Sequence, residues 1–380
     1  MNSELSYNTF TQRVYNQISL ENNQNFVVSP LSLFMSLLIC YAGSKGATNQ
    51  QLKQLLDIGY LTDQQVFDFN RNFLTYTQNN LAPNPQVNIV NKLYLHEDFK
   101  IKTSFENLIQ NNFKSSLKKV NFENSKSSAN LINEWVASQT NQKIQQIIQE
   151  SSLNEQTKMV LVNAIYFKAS WMSPFDTVMT TQEDFFLSNG ISVKVPMMKI
   201  YNVNFKKLFR PAGIDASTVE IPYSGEKISM TIVLPNKGVN LEQVEKQLKI
   251  QNIQKILSLR MVKEPMNIFI PKFSIESDAN MKDSLVRLGT SSLFDLTANF
   301  TGISDQNGLM VSDVLHKNTF EINEDGTEAT SASAINFGLY AHGEEVFYQR
   351  INFVCNKPFL FIVHEKTYNN ILFIGKYVKP

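Results

Sequence analysis

The sequence predicts one large α+β domain, and three observations carry that reading. Helical and strand patterns are intermixed along all 380 residues, with no Pro/Gly/Ser-rich linker, charged run or repeat dividing them. Helical spacing comes first, then long apolar strands dominate to the C-terminus. The chain is 43% hydrophobic and 18% charged, enough apolar material for a large core.

Residues 6–20 read as a helix. A second over 29–41 opens at Ser29-Pro30, a hydroxyl cap followed by proline in the first turn. "AGSKGATNQQL" (42–52) has the composition of a phosphate loop but the wrong order of lysine and glycine. It is expected to end one helix and begin another capped by Thr48. Residues 127–149 carry Leu131, Ile132, Trp135, Val136, Ile144, Ile147 and Ile148 at helical spacing. "KMVLVNAIYF" (158–167) is a near-continuous apolar run, as in a strand covered on both faces. "STVEIPY" (217–223) and "ISMTIVLP" (228–235) read as a hairpin turning at Ser224-Gly225, and "FLFIVHE" with "ILFIGKYV" as another.

The 35 basic and 34 acidic residues leave a net charge of +1, without the basic excess of a nucleic-acid binder. Lys118–Lys119 and Lys206–Lys207 read as solvated surface. No apolar run reaches membrane-spanning length. "MNSELSYNTFTQRVYNQISL" lacks the basic start and apolar core of a secretory signal. Cys40 and Cys355 are expected as buried free thiols in a reducing compartment, and the Asn299-Phe300-Thr301 sequon as unused. Together these point to a soluble, cytoplasmic protein, with passage into the nucleus and leaderless secretion left open. His96, His316, His342 and His364 sit in no metal-binding spacing, and GxSxG, GxxxxGK[ST] and GxGxxG are all absent. No enzyme activity, metal or cofactor is expected.

Eight stretches, taken in order, resemble the serpins. They are "NFVVSPLSL" (25–33), "YAGSKGATNQQL" (41–52), "INEWVASQTNQKI" (132–144), "LVNAIYFKASWMSPFD" (161–176), "VEIPYSGEKISMTIVLP" (219–235), "IPKFSIES" (270–277), "VSDVLHKNTFEINEDGTEA" (311–329), and "NKPFLFIV" with "ILFIGKYVKP" at the end. The resemblance covers essentially the whole chain. It implies three β-sheets, a shell of eight to nine helices, and an exposed reactive-centre loop, here about 324–349. It further implies a monomeric suicide substrate whose partner is a serine protease, with a cysteine protease as the alternative. The protease attacks the loop, and the cut loop inserts into the main sheet before the acyl-enzyme is hydrolysed.

The residues of that loop fit such a passage. Glu324, Gly326, Thr327, Glu328, Ala329, Thr330, Ser331, Ala332 and Ser333 form a hinge of small side chains with few charges. In a strand, Thr327, Ala329, Ser331, Ser333, Ile335 and Phe337 face one way, without charge, and Glu328 faces the other. Bulky or charged inward residues would overpack the sheet or strand a charge in it. The resemblance places the scissile bond fourteen residues beyond Gly326, at Tyr340-Ala341, a strand length of about 46 Å. The segment after Ala341 is longer than the family pattern, so Leu339 and His342 remain alternatives. Tyrosine before the bond suits a chymotrypsin-like or subtilisin-like pocket. By the same resemblance Ser29, Ser32, Asn163 and His316 match the shutter beneath the opening sheet, and Trp171 the breach where insertion begins. A non-inhibitory binding protein or chaperone of this family is the second functional alternative.

Overall fold

A computed structural model describes residues 2–80, 85–250, 253–327 and 351–380. The first part of the chain is chiefly helical: α1 (Asn2–Glu21), α2 (Pro30–Gly43), α3 (Gly46–Leu55), α4 (Asp63–Asn80), α5 (Thr103–Phe113) and α6 (Ser125–Gln139), with β1 (Phe26–Val28), β2 (Gln86–His96) and β3 (Ser116–Val120) between them. Strands then prevail: β4 (Met159–Ser170), β5 (Thr181–Phe186), β6 (Ser192–Phe209), β7 (Ala216–Pro222) and β8 (Ile228–Pro235). The short helices α7 (Leu241–Ile250) and α8 (Ile253–Ser258) lead into β9 (Val262–Pro271) and β10 (Phe273–Asn280). After α9 (Lys282–Arg287) come β11 (Asp313–Ile322), β12 (Gly326–Thr327), β13 (Ile351–Val354), β14 (Phe359–Glu365) and β15 (Ile371–Tyr377). No described helix is long and apolar enough to cross a membrane.

Among the described residues the strands form two hydrogen-bonded networks. The main sheet has six strands in the order β10-β11-β12-β4-β2-β3, with β11 also pairing β4 directly. The other has nine, in the order β1-β15-β14-β8-β7-β6-β9-β13, with β5 on β6. Its β6 changes register against β9 between Ile200 and Val203. Residues before the shift pair β5, and residues beyond it pair β7. The expected three sheets are thus the main sheet and two wings sharing β6.

Strand β4 has the two-sided burial its apolar run predicts. Met159, Leu161, Ile165 and Phe167 join the principal core, while Val160, Val162 and Ala164 join a smaller one under α6. Cys40 and Cys355 are both free and buried.

Two helix expectations are corrected. The helix expected over 127–149 stops at Gln139, because Asn141 and Gln142 take left-handed backbone angles, φ 50° and 63°. Ile144, Ile147 and Ile148 are buried all the same. Thr140 Oγ1 accepts from Ile144 N–H at 3.2 Å, and Asn133 Oδ1 accepts from Ile147 N–H at 2.8 Å and Ile148 N–H at 3.1 Å. Side-chain acceptors hold this irregular chain against the core, so apolar spacing continued past the helix end. Thr48 is not a cap either. α3 starts at Gly46, its capping position is Lys45 with no side-chain bond, and Thr48 accepts from Asn299 N–H at 3.0 Å.

Candidate functional site

The parallel strands β4 and β11 form the centre of the main sheet. They pair over six residues, from Asp313↔Val160 to Asn318↔Ile165. Beyond that point they part, and β12 lies between them: Thr327 is opposite both Ile322 of β11 and Ala169 of β4, and Gly326 opposite Ser170. Thr327 is 1% exposed. Its hydroxyl meets the Tyr223 hydroxyl at 2.6 Å. A Cβ on Gly326 would stand 2.1 Å from the backbone oxygen of Ala169, so only glycine lets the chain approach β4 here.

The turn into β12 is held from several sides. Asn323 Oδ1 accepts from the N–H groups of Asp325 and Gly326, each at 3.1 Å. Trp171 donates its indole N–H to Asn323 O at 2.9 Å and its backbone N–H to Asp325 O at 2.8 Å. The indole stacks on Tyr223, ring centroids 4.4 Å apart. Glu324, also buried, accepts from Lys272 Nζ at 2.9 Å and from Thr180 Oγ1 at 2.8 Å. Burial pushes its carboxyl up, but hydrogen bonds from Lys272, its own backbone N–H and Thr180 outweigh that and hold it below the usual carboxylate range.

Lower in the seam, Ser29, Ser32, Asn163 and His316 lie together, none more than 2% exposed. Ser29 caps α2 by accepting from Ser32 N–H at 3.3 Å. Asn163 and His316 are register partners across β4 and β11, and Asn91 of β2 is opposite Asn163 on the other side. The three form one polar row across three strands. Ser29 N–H donates to His316 Nε2 at 3.3 Å, so that nitrogen carries the lone pair and Nδ1 carries the proton, which it gives to Asn163 Oδ1. The Asn163 amide then donates to Ser32 Oγ and to Asn91 Oδ1. The bond from Ser29 N–H to Nε2 requires a neutral imidazole, and burial drives the His316 pKa down to about 3.

A pH dependence follows, with a definite sign. A histidine depressed on folding contributes stability that is complete above its unfolded pKa, about 6.5, and is lost as pH falls toward the folded value. His364, paired with Thr231 at 3.0 Å and pushed down to about 4 mainly by burial, adds in the same direction. The thermal midpoint is expected to fall between pH 6.5 and 4.5, above the range where carboxylates titrate. The slope should be about 1.4 kcal/mol per pH unit for each histidine. His316→Gln should roughly halve it in a pH series of melting curves, and an unchanged slope would count against this row.

Of the residues named from the sequence, Glu324, Gly326, Thr327 and Trp171 meet at the upper end of the seam, and Ser29, Ser32, Asn163 and His316 meet below it. Glu328, Ala329, Thr330, Ser331, Ala332, Ser333, Leu339, Tyr340, Ala341 and His342 lie outside the described residues. Sequence reasoning missed Asn91, Lys272, Thr180, Tyr223 and Asn323. Lys272 and Tyr223 stand inside stretches that carried the resemblance, and Asn91 is a polar break in the apolar run "VNIVNKLYL".

The sequence matches the family described as Serpin (serine protease inhibitor) over residues 5–380. The chain belongs to the serpin family. It is similar to Serpin I2 of Homo sapiens, 32% identical over 371 residues, covering 98% of this serpin and 90% of that protein. Among solved structures, Serpin48 of the insect Tenebrio molitor matches with a TM-score of 0.89 and 28% identity over 100% of this serpin and 98% of that chain. Thyroxine-binding globulin in complex with thyroxine matches with a TM-score of 0.88 and 25% identity over 100% of both chains.

Proposed function

We propose that this serpin is an inhibitory one: a suicide substrate that a protease cleaves and that traps the acyl-enzyme by drawing the cut loop into its main sheet. The observation that carries the reading is the place of Gly326 and Thr327. The first residues of the hinge are already paired between β4 and β11 where those strands part. Insertion would continue a strand whose start is in register. The neutral hinge beyond Thr327 suits that path, and the exchangeable hydrogen bonds of the Asn91–Asn163–His316 row suit a sheet that must open. We place the bait at Tyr340-Ala341, with Leu339 and His342 as alternatives, and the target among chymotrypsin-like or subtilisin-like serine proteases. The protein would act as a cytoplasmic monomer. Leu339 beside the bait favours cathepsin-like cysteine proteases as a second target class.

A non-inhibitory role is the second reading, favoured by the likeness to thyroxine-binding globulin, a serpin-fold protein crystallised with a small ligand. Incubation with a panel of serine and cysteine proteases separates the two. An SDS-resistant complex supports inhibition, and clean turnover by every protease tried rejects it.

The bait has its own test. Tyr340→Arg should shift the association rate from chymotrypsin-like toward trypsin-like enzymes. An apolar pocket must desolvate the guanidinium unpaired, whereas the trypsin-like pocket supplies a carboxylate. A released peptide beginning at Ala341 supports the assignment. One beginning at Tyr340 or Gly343 moves the bait to Leu339 or His342, and one beginning beyond Glu345 refutes the count from the hinge.

A further inference from the structure

The face of the main sheet that packs on α6 carries a polar groove apart from the seam. It is an open cavity of about 540 Å³ between α6 and strands β2 and β3, the latter at the sheet's edge, and Lys92, Tyr94, Lys118 and Trp135 line it. Alternation along β2 places Lys92 and Tyr94 on this face, and Lys118 is the register partner of Tyr94 on β3. The Lys92 ammonium stands 4.6 Å from the Trp135 ring centroid and 5.6 Å from that of Tyr94. Burial, and then the charge of Lys118, hold its pKa below the ordinary lysine value.

Two features mark this groove as lacking an occupant's charge. Neither Lys92 nor Lys118 has an ion pair among the described residues, although Lys118 weakens the charging of Lys92. Tyr94 is wholly buried, yet its hydroxyl has no hydrogen-bond partner among the described residues. Burial raises the pKa of that phenol, so it stays a donor. The hydroxyl of Ser127 and the amide of Asn130 add further donors on the α6 side, while Leu131 and Trp135 supply an apolar wall. The one carboxylate on the lining, Glu134, is exposed. It opposes a multiply charged anion or a polyanion track more than it opposes a single negative charge.

We propose that this groove binds a small organic monocarboxylate with a flat apolar body, the carboxylate held by Lys92, Lys118 and the Tyr94 hydroxyl and the body lying along Leu131 and Trp135. Such an occupant would neutralise the two lysines, satisfy the buried phenol, and fasten α6 to the edge of the sheet. Lys118, which reads from sequence as solvated surface, then has a specific task.

Isothermal titration of the full chain with 2-naphthoate, 2-naphthamide, inorganic sulfate and a sulfated disaccharide tests this. Saturable one-to-one binding of 2-naphthoate is expected, with no saturable binding of the neutral amide or of sulfate. Loss of a charge-assisted contact in Lys118→Ala should weaken naphthoate by about tenfold. Lys118 is exposed, so that variant keeps its fold. Lys92→Met, which retains the apolar contact with Trp135, should do the same. The proposal is overturned if 2-naphthoate does not saturate, if the amide binds as well, if Lys118→Ala binds with parental affinity, or if only the sulfated disaccharide binds.

Discussion

Thr327→Arg is expected to turn this serpin from an inhibitor into a substrate. Thr327 is buried between two strands with its hydroxyl on that of Tyr223. A guanidinium there would be desolvated, and the nearby carboxylate of Glu324 is already engaged by Lys272 and Thr180. Because Thr327 is already buried in the seam, the unpaired charge costs on the order of several kcal/mol in any state that keeps β12 between β4 and β11, so the variant favours withdrawing the hinge from which insertion must start. The loop should be cut at the parental rate. The acyl-enzyme should then hydrolyse before the loop can advance, so a denaturing gel should show cleaved chain in place of the covalent complex. Equal trapping by variant and parent would refute insertion for this chain.

The second large effect is thermal. Cleavage between Phe337 and Ala341 by a non-target protease should raise the unfolding midpoint by on the order of 10 °C. Once cut, the segment can lie between β4 and β11, pairing both where they now part and replacing their one ladder with two where they now pair, and burying Ile335 and Phe337. With an unfolding entropy of about 2.1 cal/mol/K per residue, 380 residues give about 0.8 kcal/mol/K, so about 10 kcal/mol of added stability moves the midpoint by about 12 °C. Two ladders over about a dozen residues and two buried apolar side chains, less the direct β4–β11 ladder given up and the cost of ordering that chain, give a gain of this order. A midpoint unmoved by cleavage would favour the non-inhibitory reading.

The fold was legible where residues act through period or local chemistry. β4 is apolar at every buried position but Asn163, and the Ser29-Pro30 pair begins α2 as written. It was less legible where a distant group takes over a local one. Helical spacing runs on past Gln139 because the core wants the same apolar residues whether the backbone is coiled or not, and only Thr140 and Asn133 mark the change. Thr48 has the composition of a cap but is claimed by Asn299, 251 residues away. In the site, resemblance singled out Asn163, His316 and Glu324, yet Asn91 of β2 completes the row and Lys272, between β9 and β10, pairs Glu324, and no local pattern reveals either approach. The expected cap failed and the expected row gained a member for one reason: both depend on residues that only the tertiary fold brings close.

Strand β1 has a consequence for the opening of the main sheet. It belongs to the nine-stranded network, with Val27 opposite Gly375 of β15. Yet Val27 N–H donates to Ser277 Oγ of β10 at 2.8 Å, and Val27 O accepts from the Asn318 amide of β11 at 3.4 Å. One residue therefore closes hydrogen bonds to two neighbouring strands of the main sheet from outside it. Sliding β10 would free the Val27 amide and sliding β11 the Val27 carbonyl, while the amides of β14 and β15 on the other side would stay paired. Deuterium uptake at Val27 thus becomes a local gauge of shutter movement, read against the silent C-terminal hairpin in the same molecule.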